Sequence, residues 1–221
     1  MIDLIKLPAP AALDTLVAGI LRITQQPSPR STTHIALAGG STPAPFYRAL
    51  NQCDTLPWSQ IHWWIGDERT VPPDHPDSNE KMIRSTLGHA RPNFHLHSWH
   101  LDSDLVKAAE KMHALLTQTI GTPPVFDLIL LGLGNDGHTA SLFPNTNALQ
   151  ERHRYAVSNP VPQLKTQRWT FTYPVLEAAK EIWFLVQGTS KTEMVHKLLA
   201  RDHNIPAARI QNPHQKIYWI L

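Results

Sequence analysis

Short, largely apolar runs alternate with segments of helical periodicity along most of this 221-residue chain. Between the runs, apolar residues recur every three or four positions near 11–23, near 104–120 and from 189 onward. Strands that alternate with helices predict an α/β fold with a largely parallel sheet and helices on both faces. The runs with the length and composition of buried strands are HIALA at 34–38, IHWWIG at 61–66, FDLILLG at 126–132 and IWFLVQG at 182–188.

Composition and charge exclude several classes of protein. Hydrophobic residues make up 42% of the chain, which argues against intrinsic disorder, and the seven tryptophans are expected in the core or the sheet. The 20 Lys and Arg against 18 Asp and Glu give a formal charge of +2 without a basic run, so we expect no nucleic-acid partner. The single Cys53 cannot form an intrachain disulfide. No apolar run reaches ~18 residues and MIDLIKLPAP lacks a signal-peptide core, which predicts a cytoplasmic protein without a membrane partner.

The residues that follow each predicted strand are the first candidates for a functional site, because ligands of parallel α/β sheets bind beyond the carboxyl ends of the strands. Gly39, Gly40, Ser41, Thr42 and Pro43 follow the first run and precede a short helical segment. The glycines expose backbone amides, Ser41 or Thr42 is expected to cap the helix, and Pro43 suits its first turn. The segment therefore predicts an anion site at a helix N-terminus, with a purely structural turn as the alternative.

Asp67, Glu68 and Arg69 follow the second run directly. Three consecutive charges usually form a solvated turn, but their place after a buried strand favours a role in binding ligand. The chain continues through VPPDHPDSN, a rigid loop that ends at a helix cap around Ser78.

The third run leads into a glycine-rich loop that contains Gly132, Gly134 and Gly137. This loop and the GGSTP segment together hold five of the ten glycines, which packing alone explains poorly. Asp136 and His138 stand two positions apart among these glycines, so the carboxylate is able to orient the imidazole. A histidine is a natural general base at neutral pH, which makes His138 the principal catalytic candidate.

Two cations and one histidine cluster occur elsewhere. Arg168 opens RWTFT, and Lys191 falls in the first turn of a predicted helix, where the macrodipole disfavours a cation and suggests an anionic partner. His95, His97 and His100 in HLHSWH invite a zinc site, but no cysteine is near and two of the three merely alternate along a predicted strand. We therefore expect no metal.

With these motifs the sequence resembles a known family, the 6-phosphogluconolactonases, which share a superfamily with glucosamine-6-phosphate deaminase. The resemblance spans residues 36 to 196 in the order of the family's motifs, and GNDGHTASLFP is its most specific element. It implies a single domain over residues 1–221 that forms a three-layer α/β/α sandwich with a mostly parallel, Rossmann-like sheet. The matching segments are ALAGGSTPAPFY, IGDERTVPPDHPDSN, FDLILLGLGNDGHTASLFP, RWTFT and GTSKTEMV.

The resemblance further implies hydrolysis of 6-phospho-D-glucono-1,5-lactone to 6-phospho-D-gluconate in the oxidative pentose phosphate pathway, with no cofactor. We expect residues 40–42, Arg168 and Lys191 to hold the phosphate, and His138, oriented by Asp136, to activate water. Arg69 and amides of the 132–137 loop, Gly134 included, are candidates to stabilise the oxyanion. Asp67 is expected to bind sugar hydroxyls. The expected partner is the small phosphosugar lactone, and the chain is expected to be a monomer or a weak homo-oligomer.

Two alternatives remain at this stage. An isomerase or deaminase of the same superfamily needs additional acid/base groups, and its histidine is followed by an acidic partner, whereas TASLFP contains none before Glu151. A non-catalytic phosphosugar sensor normally carries a DNA-binding segment, for which this chain is expected to have no spare residues. Both features favour the lactonase.

Overall fold

Ten strands and six α-helices form the described part of a computed structural model, residues 2–26 and 30–221. The helices are α1 (Ala9–Thr24), α2 (Ala44–Asn51), α3 (Asn79–Thr86), α4 (Leu105–Thr119), α5 (Tyr173–Ala178) and α6 (Thr192–Leu199). The strands are β1 (Asp3–Leu7), β2 (Thr33–Leu37), β3 (Ile61–Ile65), β4 (Asp67–Arg69), β5 (His95–His97), β6 (Leu128–Leu131), β7 (Ala156–Val161), β8 (Thr166–Phe171), β9 (Ile182–Gln187) and β10 (Gln215–Ile220). The four strands predicted from apolar runs correspond to β2, β3, β6 and β9.

Seven strands form one parallel sheet in the order β1-β10-β9-β6-β2-β3-β5. The chain runs from β2 toward the β5 edge and later returns from β6 toward the β1 edge. Because connections between parallel strands are right-handed, these two directions place their helices on opposite faces, α1 to α3 on one and α4 to α6 on the other. Contacts of α2 with both α1 and α3 agree with this placement. The predicted α/β/α sandwich is confirmed.

The reversal of strand order between β2 and β6 decides where a ligand binds. The two strands are neighbours, with Ile35 paired to Leu128, but their following loops leave the sheet toward opposite sides. Loops that diverge at the carboxyl ends of adjacent strands open a crevice between them. The GGSTP segment and the glycine-rich loop with His138 therefore face each other across this point.

A second, antiparallel sheet of order β4-β8-β7 covers one side of the crevice. Gly66 joins the two sheets, because its N–H donates to Leu37 O (3.0 Å) and its carbonyl accepts from Phe171 N (3.0 Å). The charged segment at 67–69 is thus a strand rather than a solvated turn. Its register pairs Arg69 with Arg168 of β8.

The tryptophans lie inside the molecule, as the sequence predicts. Tryptophan side chains bury a large apolar area, and four of these seven are completely shielded from solvent. All seven are buried: Trp58, Trp63, Trp64, Trp99, Trp169, Trp183 and Trp219. Helix α3 begins as expected, since Ser78 Oγ accepts from Lys81 N (3.2 Å).

Candidate functional site

A cavity of about 260 Å³ opens at the carboxyl ends of β2, β6 and β9, beside the start of β4. Most of the residues predicted for the site share this cavity although they come from four separate parts of the chain. The predicted residues that line it are Gly39, Gly40, Ser41, Thr42, Asp67, Arg69, Gly134, His138 and Lys191. Asp136 and Arg168 are not part of the lining.

His138 and Asp136 form a close pair at the edge of the cavity. His138 Nδ1 lies 2.5 Å from Asp136 Oδ1, and the same oxygen accepts from His138 N (3.1 Å). Burial would raise the pKa of Asp136, but these hydrogen bonds from His138 outweigh it and leave the pKa below its usual value. An ionised carboxylate accepts, so Nδ1 donates and Nε2 of a neutral ring keeps a lone pair. The pair has the geometry of a general base with its orienting carboxylate.

The loop around His138 is shaped by glycine at two positions. An added Cβ at Gly134 would overlap the His138 ring, so only glycine lets the imidazole fold back over the loop. Gly137 has a φ of 75°, a conformation that side chains disfavour, and its carbonyl accepts from Ala207 N (3.0 Å). The Phe143 ring stacks on the imidazole with 4.1 Å between centroids. The ring is therefore held by its hydrogen bond to Asp136 and by the stacked Phe143.

The GGSTP segment lines the cavity with its backbone, but its side chains do not cap helix α2 as predicted. Gly40 has a φ of 90° with open space around it, which exposes the neighbouring backbone. The expectation that Ser41 or Thr42 caps helix α2 is wrong, because Pro43 is the N-cap and no side chain bonds the helix end. A turn precedes the helix instead, so both hydroxyls remain available at the cavity.

Asp67 is fixed by two residues to which the sequence analysis assigned no role in the site. Ser141 Oγ donates to Asp67 Oδ2 (2.6 Å), and Asn79 Nδ2 donates to the Asp67 main-chain carbonyl (2.7 Å). Ala140 adopts a φ of 47° just before Ser141, a conformation that an L-residue adopts only under constraint. The segment HTASLFP therefore positions Asp67 as well as His138.

Glu68 anchors the same strand from the protein interior. It is fully buried and accepts from Asn79 N (2.8 Å), Glu80 N (2.7 Å) and the Ser78 hydroxyl (3.1 Å). Burial raises the pKa of Glu68, although these backbone N–H donors partly offset the increase. The carboxylate thus ties β4 to the N-terminus of α3 and points away from the cavity.

The two arginines stand side by side on β4 and β8 with neutral partners. Arg69 donates to the main-chain carbonyl of Asp77, and Arg168 donates to the hydroxyl of Thr166 (3.3 Å) and the carbonyl of Gln167 (3.5 Å). Burial and then the neighbouring Arg69 lower the pKa of Arg168. Such a pair of guanidinium groups favours the approach of an anion.

Lys191 lines the cavity from the segment that follows β9. It ends the 3-10 turn Thr189–Lys191 and is the N-cap residue of α6, one position before the predicted first turn. Its Nζ donates to Leu133 O (2.8 Å) and Asn135 Oδ1 (2.5 Å). The partners of this cation are neutral oxygens rather than the anion that the sequence analysis expects, so its charge remains uncompensated by them.

The sequence pattern locates the site residues that follow strands but not the residues that hold them in place. In the sequence, Asn79 belongs to the predicted helix cap around Ser78, and Ser141 lies inside the GNDGHTASLFP motif. A signal existed for Ser141, because it lies three positions after His138 in a segment too specific to be a simple connection. No local signal exists for the pairing of Asn79 with Asp67, since it depends on how α3 packs against β4.

The histidines of HLHSWH serve other contacts. His97 Nε2 lies 2.9 Å from His62 Nδ1, whereas His100 contacts Glu80 Oε2 (2.9 Å) and Val71 O (2.9 Å). In residues 2–26 and 30–221, no three His, Cys, Asp or Glu side chains are grouped so as to hold a metal ion. Nor does this part of the chain contain a helix that is both long and apolar enough to cross a bilayer.

Comparison with known proteins places this geometry in a family. A model described as glucosamine-6-phosphate isomerases/6-phosphogluconolactonase matches residues 9–219. The 6-phosphogluconolactonase of Synechocystis is 40% identical over 93% of this chain and 88% of its own length, and that of Nostoc is 39% identical over 85% and 80%. The structure of 6-phosphogluconolactonase from Trypanosoma brucei superposes with a TM-score of 0.86 at 28% identity, covering 99% of this chain and 96% of the other. The chain therefore belongs to the glucosamine-6-phosphate isomerase/6-phosphogluconolactonase family.

Proposed function

We propose that this protein hydrolyses 6-phospho-D-glucono-1,5-lactone to 6-phospho-D-gluconate, a step of the pentose phosphate pathway. The observation that carries the proposal is the His138–Asp136 pair at a cavity that also holds Arg69 and Lys191. A base beside uncompensated cations suits an ester-like substrate that carries a phosphate. The reaction neither oxidises nor reduces the sugar, so it needs no redox cofactor.

The phosphate is assigned to the end of the cavity formed by residues 40–42 and Lys191. Free backbone and two hydroxyls offer donors to its oxygens, and the ammonium supplies a point charge. Arg168 lies beside Arg69 outside the cavity lining. We assign Arg168 to binding of the phosphate dianion. Its planar guanidinium projects from β8 and is able to bind two phosphate oxygens.

His138 acts as the general base. Its Nε2 takes a proton from water while the water oxygen bonds to the lactone carbonyl carbon, and the carbonyl becomes an oxyanion. Arg69 and amides of the 132–137 loop stabilise that oxyanion. When the carbon–ring oxygen bond breaks, the protonated His138 returns its proton to the departing oxygen, and the carboxylic acid then ionises. Asp136 stabilises the imidazolium between these two steps.

The isomerase and deaminase alternative lacks the groups that it requires. Moving a proton between sugar carbons needs a further acid/base group next to the histidine. The first carboxylate after His138 is Glu151, which bonds to Arg154 (3.0 Å) and lines a different cavity. The lactonase reaction requires only one base, so the available groups favour it. A sensor without catalysis would have no use for the His138–Asp136 geometry.

The proposal is tested by measuring lactone hydrolysis directly. The lactone is generated from glucose 6-phosphate by its dehydrogenase, and the product is followed with a 6-phosphogluconate-specific coupling enzyme. Spontaneous opening of the lactone is measured in parallel and subtracted. Acceleration above this background supports the proposal. Binding of the phosphosugar without acceleration would instead identify a sensor, and turnover of glucosamine 6-phosphate would identify a deaminase.

A further inference from the structure

The Asn79 side chain lies between Gly39, which follows β2, and Asp67, which begins β4. It is 2% exposed, opens α3 and lines the cavity. Its backbone N–H donates to Glu68 Oε1 (2.8 Å), and its Nδ2 donates to the carbonyl of Asp67 (2.7 Å). Because a carbonyl only accepts, the nitrogen of the amide must face Asp67. The nitrogen of the Asn79 amide is therefore fixed toward Asp67, and the amide as a whole lies against Gly39.

Gly39 makes the room that this amide occupies. A Cβ added at Gly39 would overlap the oxygen, the carbon and the nitrogen of the Asn79 amide. Glycine is thus required at 39 for close approach of the side chain. The amide sits against the backbone that begins the predicted phosphate segment, at the wall of the cavity.

Asn79 Oδ1 is an acceptor without a donor among the described residues. Across residues 2–26 and 30–221, the hydrogen bonds of Asn79 run through its backbone and its Nδ2 and leave the oxygen without a partner. A carbonyl oxygen that accepts no hydrogen bond from the protein keeps its full capacity to accept one from a ligand. An acceptor held rigidly at a cavity wall is a site for a ligand donor.

We propose that Asn79 is a specificity-determining residue whose Oδ1 accepts a hydrogen bond from a secondary hydroxyl of the sugar lactone; this rests on the proposed function. The lactone carbonyl, the ring oxygen and an ionised phosphate only accept hydrogen bonds. The secondary hydroxyls are therefore the groups of this substrate that are able to donate to Asn79. The amide is also neutral, so it recognises a hydroxyl without repelling the phosphate as a carboxylate would.

The test compares the full lactone with lactones that lack one secondary hydroxyl. The 2-, 3- and 4-deoxy lactones are prepared chemically, and kcat/KM is measured for wild type and Asn79→Ala. Wild type should prefer the full lactone over one of these analogues by about tenfold, the value of one hydrogen bond to a neutral acceptor. In Asn79→Ala that preference should fall to about one, whereas Ser141→Ala, which also loosens Asp67 but keeps the Asn79 oxygen, should retain it. A general loss of structure would lower kcat/KM for all the lactones alike.

Lys81→Ala is the matched control, because Lys81 is exposed on the same helix and keeps its backbone bond to Ser78. It should retain all three preferences. Should Asn79→Ala fail to fold, Gly39→Ala reports on the same oxygen by displacing the amide, and it should lose the same single preference. Retention of every hydroxyl preference in the folded variant overturns the proposal. Failure of wild type to hydrolyse the full lactone refutes the proposed function itself, and that result is known before any variant is compared.

Discussion

The hydroxyl of Ser141 donates a 2.6 Å hydrogen bond to the carboxylate of Asp67 and so joins two loops that are 74 positions apart in sequence. One end of this bond follows β6 and stands three positions after His138. The other begins β4, the strand that also carries Arg69. The bond therefore fixes the sugar-binding candidate Asp67 relative to the proposed base.

Replacing Ser141 by Ala should disturb that relationship without changing the charge of the site. A hydrogen bond to a charged group contributes about 1.5–3 kcal/mol, so we expect kcat/KM to fall roughly tenfold or more. Most of the loss should appear in kcat, because a misplaced Asp67 orients the ring poorly toward His138. Steady-state kinetics with the lactone measure both constants. Ser158→Ala, which removes a hydroxyl bonded to the exposed Gln167, is the control and should behave as wild type.

His138→Ala should lower kcat by roughly 10²–10⁴ if the imidazole is the general base. The change removes the group that accepts the proton of water, while the cations that bind the phosphate remain. KM should change little. His89→Ala removes an exposed histidine and serves as the control for loss of an imidazole. Wild-type turnover in His138→Ala would exclude this residue from the reaction.

Lys191→Ala and Arg168→Ala should mainly raise KM, because both cations are assigned to the phosphate in the ground state. Arg168→Lys should remain impaired, since a point charge does not replace a planar fork that binds two oxygens. Initial rates over a range of lactone concentrations separate KM from kcat. Lys107→Ala removes the same charge from an exposed site on α4 and should leave KM unchanged. Slower turnover at constant KM would contradict the phosphate assignment.

Three neighbouring histidines, His34 on β2, His62 on β3 and His97 on β5, should make the fold sensitive to acid. Burial, which leads the causes, lowers the pKa of His34 and of His97 to about 4. The folded protein then binds fewer protons than the unfolded chain between pH 4 and the ordinary histidine value of 6.5, so stability falls as the pH falls through this window. His62 lies between them, with its ring stacked on His34 at 5.0 Å.

Other charges near this cluster act on it in both directions. Arg30 and the neighbouring histidines oppose protonation of His34, whereas Asp127 favours it. Urea unfolding of wild type and of His34→Gln with His97→Gln, measured from pH 4 to pH 7, tests the prediction. The double variant should lose part of the pH dependence that wild type shows. His203→Gln, at an exposed site, should leave the curve unchanged, and equal slopes in all three proteins would contradict the assignment.

Much of the fold follows from local pattern. The four apolar runs, the helix that begins after Ser78 and the buried tryptophans are fixed by periodicity and hydrophobicity, which depend on near neighbours in sequence. His138, Asp67 and the GGSTP segment are found from the sequence because each of them follows a predicted strand. The residues that follow parallel strands all lie at the same edge of the sheet.

Tertiary structure decided what those residues contact. The strand character of 67–69 arises from pairing with β8, and the place of Arg168 outside the cavity lining follows from that pairing. The contacts of Ser141 with Asp67 and of Asn79 with Gly39 join segments 74 and 40 positions apart. Such contacts depend on strand order and helix packing. These are determined by the packing of the whole core, and no local sequence pattern reveals them. The sequence by itself therefore determined which groups reach the crevice, and the packing of α3 and β8 determined how they are held there.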